Sequence, residues 1–425
     1  MDKIIIPDKT DISNHSLLLT PSPLTGSKLF MQILKDWHFS LRKYNLRPVV
    51  YREISKVLSC KDPRFATVFF CEDCSTVKSV PFTCKSRFCP SCGNLYNKQR
   101  ACAIGEHLLD VPHRHVIFTI PELLRPYFLH DRTLLNFIFE ASSKTYSVVI
   151  SKKYPDLIPS IASTMHTFSR SSSWNPHVHC LATEGGINKW GSWKHRPYID
   201  YKDLRLTFQD LLLKKLRTRV PNFRKTEFEL KEQYKEGFFV YAPPVEDQSK
   251  TSLKTTVKYV TRYLGRPCIG TSRIDSYDGH IVTFHYDAHV SEKIGSNIER
   301  KSESISAVDF LLRLTDHIQD PNFKMVRYYG IYSSVTQDSQ RMEKAFQRNA
   351  VDWLYSPDYH KMREYYSHWQ GAYKRDFGED PQCCPNCQKE MTVLYYRIDG
   401  KRFWHLPPKG YGAKSRLKDF TWDFD

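Results

Sequence analysis

The chain has 425 residues, enough for two or three domains, and its 40% hydrophobic content marks a globular protein and excludes a disordered tail. No apolar run approaches the roughly 18 residues of a membrane span, and MDKIIIPDKTDIS is no signal peptide, which points to the cytoplasm. Lys and Arg outnumber Asp and Glu by 63 to 46, a net charge of +17 that favours a polyanionic partner, nucleic acid ahead of a membrane surface.

Residues 25–60 read as helical, with Leu29, Ile33, Trp37 and Leu41 recurring on one face. Six of the twelve cysteines follow, between Cys60 and Cys92. Cys71–Cys74 and Cys89–Cys92 are two Cys-x-x-Cys knuckles with fourteen residues between them, the spacing of a zinc site. Cys60 and Cys84 are left over, either extending that site or simply buried. Lys85, Arg87, Lys98 and Arg100 lie among aromatic residues and offer a surface for DNA. HRHVIFTI (113–120) is a strand ended by Pro121, and residues 131–151 form an amphipathic helix with Asp131 at its N-cap.

Two strands, 162–169 and 177–183, flank a Ser/Trp/Asn/Pro loop. Side chains alternate along a strand, so Val178, Cys180 and Ala182 face the core while His177 and His179 project together from the other side. Such a pair is either two surface histidines or the start of a divalent metal site. A helix spans 201–220, a strand 237–242 and a helix 252–265. On that last helix Tyr259 and Tyr263 are four residues apart and share one face. They are either a core stripe or a pair of nucleophiles. Lys254, Lys258, Arg262 and Arg266 repeat every four residues on an adjoining stripe. Their mutual repulsion, a few tenths of a kcal/mol per pair, roughly, turns to attraction beside a polyanion. Residues 272–287 form a hairpin turning at Asp278–Gly279. Beyond 300 the pattern is mostly helical until Cys383, Cys384 and Cys387, half a zinc site that His405 could help close.

Taken together, His-x-His on a strand, a tyrosine pair on a later helix and an upstream four-cysteine finger resemble the HUH single-strand DNA transposases. The chain most resembles the rolling-circle transposases of the insertion-sequence 91 type, relatives of common-region elements and, distantly, of Helitrons. The blocks VPFTCKSRFCPSCG, LDVPHRHVIFTIPELLRPYF, HTFSRSSSWNPHVHCLATEGG, YVTRYLGRP, SRIDSYDGHIVTFHYD, NFKMVRYYGIYS and CPNCQKEM carry this resemblance over most of the chain. Arg170 departs from the pattern, since relatives often have Gly–Arg or Gly–Gln after that aromatic.

The resemblance implies an α+β fold: an HUH endonuclease domain with a central antiparallel sheet of RRM/ferredoxin-like type, flanked by helices. The expected division is a helical, zinc-binding and DNA-binding region (1–105), the catalytic domain (106–300) and a mostly helical region with the cysteine motif (301–425). It implies Mg²⁺ or Mn²⁺ on His177 and His179, with His166 as third ligand and Glu184 as the alternative. It implies Tyr259 and Tyr263 as nucleophiles that form a 5′-phosphotyrosine, and a structural Zn²⁺ on Cys71, Cys74, Cys89 and Cys92. The partners would be the single-stranded or hairpin ends of a mobile element and a target strand, on a prokaryotic nucleoid. A rolling-circle replication initiator would use the same chemistry at a fixed origin. A non-catalytic zinc-dependent regulator would need neither the tyrosine pair nor the paired histidines.

Overall fold

The computed structural model describes residues 26–105, 108, 109, 111–243, 267–289, 298–333 and 369–404. Helices α1 (Gly26–Trp37) and α2 (Pro48–Leu58) lead into the hairpin β1 (Ala66–Phe70) and β2 (Val77–Pro81), then α3 (Pro90–Gly105). Next come β3 (His113–Thr119), α4 (Arg125–His130), α5 (Leu135–Lys153), β4 (Ile161–Phe168) and β5 (Trp174–Thr183). A short hairpin, β6 (Gly185–Ile187) and β7 (Trp193–His195), precedes α6 (Tyr201–Arg219), α7 (Arg224–Gln233) and β8 (Val240–Tyr241). Then follow β9 (Ile274–Tyr277), β10 (Ile281–His289), β11 (Ile298–Ser306), α8 (Ala307–Thr315), β12 (Val326–Tyr329), α9 (Trp369–Phe377), β13 (Thr392–Ile398) and β14 (Lys401–Trp404).

Local chemistry sets many of these boundaries. Pro48 opens α2 with its φ already helical, and the Asp200 carboxylate accepts from the Asp203 amide at the start of α6. The Ser306 hydroxyl likewise accepts from the Asp309 amide to start α8. Asp278 accepts from the amides of His280 and Ile281, and Gly279 takes φ +102, so the expected hairpin turn forms between β9 and β10. Asp131 caps as expected, but on a short 3₁₀ turn (Arg132–Leu134) that precedes α5.

The central sheet has five strands in the order β12-β4-β5-β3-β8, all antiparallel. One face, including Val116, Phe118, Met165, Val178, Cys180 and Val240, packs in a common core with α5 and α6. Burying each large apolar side chain there stabilises the fold by ~1.5–3 kcal/mol. The predicted split of β5 is therefore observed: Val178, Cys180 and Ala182 lie in this core. Part of the opposite face is covered by Leu108, Leu109, Ile187 and Tyr332 over Ala162 and Leu181.

The result is a mixed α+β protein with antiparallel sheets, as expected, and distant parts of the chain share its sheets and cores. α1 and α2 share a core with the β9–β10 hairpin and α8, far along the chain. β13 pairs with β1, making a four-stranded sheet β14-β13-β1-β2 from the two ends of the described chain. Nor is the region beyond 300 mostly helical among the described residues: β12, β13, β14 and most of β11 lie there beside α8 and α9. β11 reads as no strand because it is polar and largely exposed; it is a strand because β10 offers it a full-length partner, Ile281 opposite Ser306 through His289 opposite Ile298.

Candidate functional site

His166 and His177 are directly opposite one another on β4 and β5, and His179 is opposite Thr164 two residues along the same face. Cross-strand neighbours share a face, so three imidazoles converge. Their ring centroids lie 4.4 Å (His166–His179), 4.9 Å (His177–His179) and 5.6 Å (His166–His177) apart. One ring nitrogen from each lies within 4.8 Å of the others. The three could hold a metal ion, and their donor chemistry fits one.

Two hydrogen bonds orient the rings. His177 Nδ1 is 2.7 Å from the Asn175 carbonyl oxygen. A carbonyl only accepts, so Nδ1 carries the proton and the Nε2 lone pair is left for a ligand role. Burial pushes the His177 imidazole down to about 4, helped by the nearby Arg125 charge, so it is neutral at pH 7. His179 Nδ1 is 2.8 Å from Nε2 of His115, on β3, with the two rings 8° from parallel. Burial, with a contribution from His177, likewise holds His115 down to about 3.

His115 is the residue that sequence reasoning missed. Its signal was available: HRH on β3 is a second His-x-His, and β3 lies directly beside β5. The other member, His113, does structural work, donating from Nδ1 to the Val111 carbonyl and accepting from the Tyr332 hydroxyl at 2.6 Å.

Glu184 does not gather with the three imidazoles. It is buried next to Arg114, whose Nε donates to its Oε1 at 2.8 Å, while His195 Nε2 lies 3.3 Å from Oε2. Arg114 also donates to the Ala242 and Pro197 carbonyls. Each charge here is buried and satisfied by the other. Glu184→Ala should therefore cost ~3–5 kcal/mol of unfolding free energy by leaving Arg114 unpaired. Chemical denaturation measures this, and metal retention by the folded variant would separate it from the histidine variants.

The loop between β4 and β5 is also held in place. His317 donates from Nε2 to the Ser172 carbonyl at 2.7 Å and stacks on Trp174. Arg170 donates to the Asp287 carbonyl on β10, so this departure from the family pattern docks the loop on the hairpin.

The expected zinc set is not assembled as such. Cys89 and Cys92 gather with Cys60 and Cys84, whereas Cys71 and Cys74 gather with Cys384 and Cys387. Hairpin geometry is the reason. Cys71 and Cys74 lie at the tip of β1–β2, while Cys60 and Cys84 lie at its open end, where the Lys61 amide donates to the Phe82 carbonyl. A five-residue strand spans about 17 Å, too far for tip and base to share one ion. Cys60 Sγ is 3.5 Å from Cys92 Sγ and 3.9 Å from Cys89 Sγ. Lys85 and Arg87 are exposed beside this cluster, with the Arg87 guanidinium 5.3 Å from the Tyr96 ring.

Tyr259, Tyr263, Lys254, Lys258, Arg262, Arg266 and His405 lie outside the described residues. No helix of the described residues is long and apolar enough to cross a membrane.

One chain thus carries a histidine triad on an antiparallel sheet and two four-cysteine clusters. Residues 31–120 match the family model "Transposase zinc-binding domain", and residues 161–340 match the model "Putative transposase". The chain belongs to the IS91-type transposase family. It is 28% identical over 328 residues to the transposase for insertion sequence element IS801 of Pseudomonas savastanoi pv. phaseolicola, spanning 74% of this chain and 77% of that protein. It is 20% identical over 346 residues to "Putative transposase y4qJ" of Sinorhizobium fredii, spanning 78% and 84% respectively. No solved structure matches.

Proposed function

We propose that this transposase is an HUH-type single-strand endonuclease and strand transferase, which nicks and rejoins the ends of a mobile element in rolling-circle transposition. The convergence of His166, His177 and His179 on one sheet face carries this reading. A divalent cation held there would polarise the scissile phosphate and orient it for in-line attack. An all-imidazole set favours Mn²⁺ over Mg²⁺ as that ion, because magnesium prefers oxygen ligands.

The nucleophiles are Tyr259 and Tyr263. A phenol oxygen bonds to phosphorus as the P–O3′ bond breaks; the phenol loses its proton and the departing 3′ oxygen gains one. The 5′-phosphotyrosine keeps the energy of the phosphodiester for rejoining without ATP. Lys254, Lys258, Arg262 and Arg266 track the strand, and Lys85 and Arg87 beside the finger hold the element end. Cys60, Cys84, Cys89 and Cys92 hold a structural zinc in the finger. The proposed catalytic domain is the five-stranded sheet with its helices, wherever in the chain those elements arise.

The test is incubation with labelled single strands from the element ends and Mn²⁺ or Mg²⁺. Nicking with protein retained on the 5′ end, abolished by EDTA, is the expected result. Nicking that persists in EDTA, or that leaves no covalent adduct, would sink the reading.

His115 enters this site as a positioning residue. When His179 presents Nε2 to a metal, its Nδ1–H donates to His115 Nε2, fixing ring and tautomer. His115→Ala should weaken Mn²⁺ binding by about 10–100-fold, as loss of such outer partners does elsewhere. His115→Gln, which keeps an acceptor, should recover part of it. Electron paramagnetic resonance of free Mn²⁺ reads the affinity directly; equal affinity in all three proteins would remove His115 from the site.

A further inference from the structure

We propose that Cys71, Cys74, Cys384 and Cys387 hold a second structural zinc that clasps the C-terminal hairpin β13–β14 onto the N-terminal finger. Cys71 and Cys74 lie within the matched zinc-binding segment, residues 31–120, whereas Cys384 and Cys387 lie far beyond it. Half of its ligands come from the far end of the chain.

The geometry is that of a tetrathiolate site. Sγ of Cys71 is 3.4 Å from Sγ of Cys387, and Sγ of Cys74 is 3.4 Å from Cys384 and 3.6 Å from Cys387. Zinc–sulfur bonds of about 2.3 Å in a tetrahedron place sulfurs about 3.8 Å apart, so the four thiols already stand at nearly the spacing the ion imposes. All four are free thiols, not disulfides.

Both knuckles are preformed by the backbone. The Cys71 amide donates to the Thr76 carbonyl across the first turn. In the second, the Cys384 amide donates to the Lys389 carbonyl, and Gln388 takes φ +61 to close the loop. Asn386 donates to the Thr76 hydroxyl, and Lys389 pairs with Asp73, joining one knuckle to the other. Cys383 is turned out of the site, towards the Gln388 carbonyl and side-chain oxygens.

The strand pairing continues the same junction. β13 adds to β1 from Ala66 opposite Arg397 to Phe70 opposite Thr392, and the cysteines follow directly at that end. Beneath them Phe69, Cys71, Val80, Cys384 and Met391 form one small core. So small a core needs a metal to hold two distant chain segments together, and the ion's binding energy becomes folding energy of the clasp. The central sheet, with its histidines, lies between the two halves of the clasp in sequence. Loss of the C-terminal segment would strip the finger of both a zinc and two sheet strands.

Zinc per chain is counted by mass spectrometry of the full-length protein, and each thiol is mapped by alkylation before and after chelation. Two zinc ions are expected in the wild type and one in Cys384→Ser with Cys387→Ser. In the wild type Cys71, Cys74, Cys384 and Cys387 should resist alkylation until zinc is stripped, while Cys383 reacts at once. In the double variant Cys71 and Cys74 should react without chelator, and amides of β13 should exchange hydrogen about tenfold faster or more. The alkylation map of the wild type decides the matter even if the variant fails to fold. One zinc per wild-type chain would overturn the proposal. So would alkylation of those four thiols with zinc still bound, or their recovery as disulfide-linked peptides.

Discussion

His177→Ala combined with His179→Ala is expected to lower single-strand nicking about 10³-fold or more while leaving DNA binding nearly intact. A metal at a transferring phosphate supplies several kcal/mol of transition-state stabilisation, and each 1.36 kcal/mol is about a factor of ten. The two rings account for two of three clustered donors, and the bond from His177 Nδ1 to the Asn175 carbonyl leaves its Nε2 lone pair available. Binding should persist because the proposed strand contacts, Lys85, Arg87 and the 254–266 cations, are separate residues. Val178, Cys180 and Ala182 keep β5 in the core, so the fold should survive the change. Nicking rates and strand affinity measured on one labelled oligonucleotide check both halves. Undiminished nicking would remove the triad from catalysis.

Tyr259→Phe and Tyr263→Phe are expected to differ from each other. Together they should abolish the covalent adduct, a loss of about 10³-fold or more, since no phosphotyrosine forms without a phenol hydroxyl. Singly, one should lose initial nicking and the other should nick yet fail to complete strand transfer. At helical spacing the two rings would stand one turn apart, so their hydroxyls would reach one phosphate alternately rather than together. A nick needs one nucleophile; transfer from donor to target needs two, or one used again. Removing only the oxygen preserves packing of the rings. Adduct and joined-strand yields for each variant are the measurement, and wild-type yields from both single variants would place the nucleophile elsewhere.

Some of the molecule was legible in one dimension because the signals are local. The alternation in β5, the Asp278–Gly279 turn, the cap at Asp131 and the helices at 26–58 and 201–219 each depend on residues a few positions apart. His166 and the His177–His179 pair could also be named, since a strand's period of two puts both members of the pair on one face.

The cysteine partners could not be read the same way. Spacing marks Cys71–Cys74 and Cys89–Cys92 as knuckles, but a tetrahedral site needs two knuckles at one point in space. Pairing of β1 with β2 carries them to opposite ends of the hairpin, and pairing of β1 with β13 brings Cys384 and Cys387 to the tip across 310 residues. Glu184 stood as the alternative third ligand that the resemblance implied; in the fold it is paired with the buried guanidinium of Arg114. His115 stood in plain view as a histidine, yet only the lateral order of β3 and β5 puts its ring against His179. The sequence by itself determined periodicities, turns, charge and the chemical types of the candidate ligands, because those are properties of neighbours along the chain. Tertiary structure alone decided which histidine supports which, and which four sulfurs meet, because those depend on strand pairings that close long loops and that no local pattern encodes.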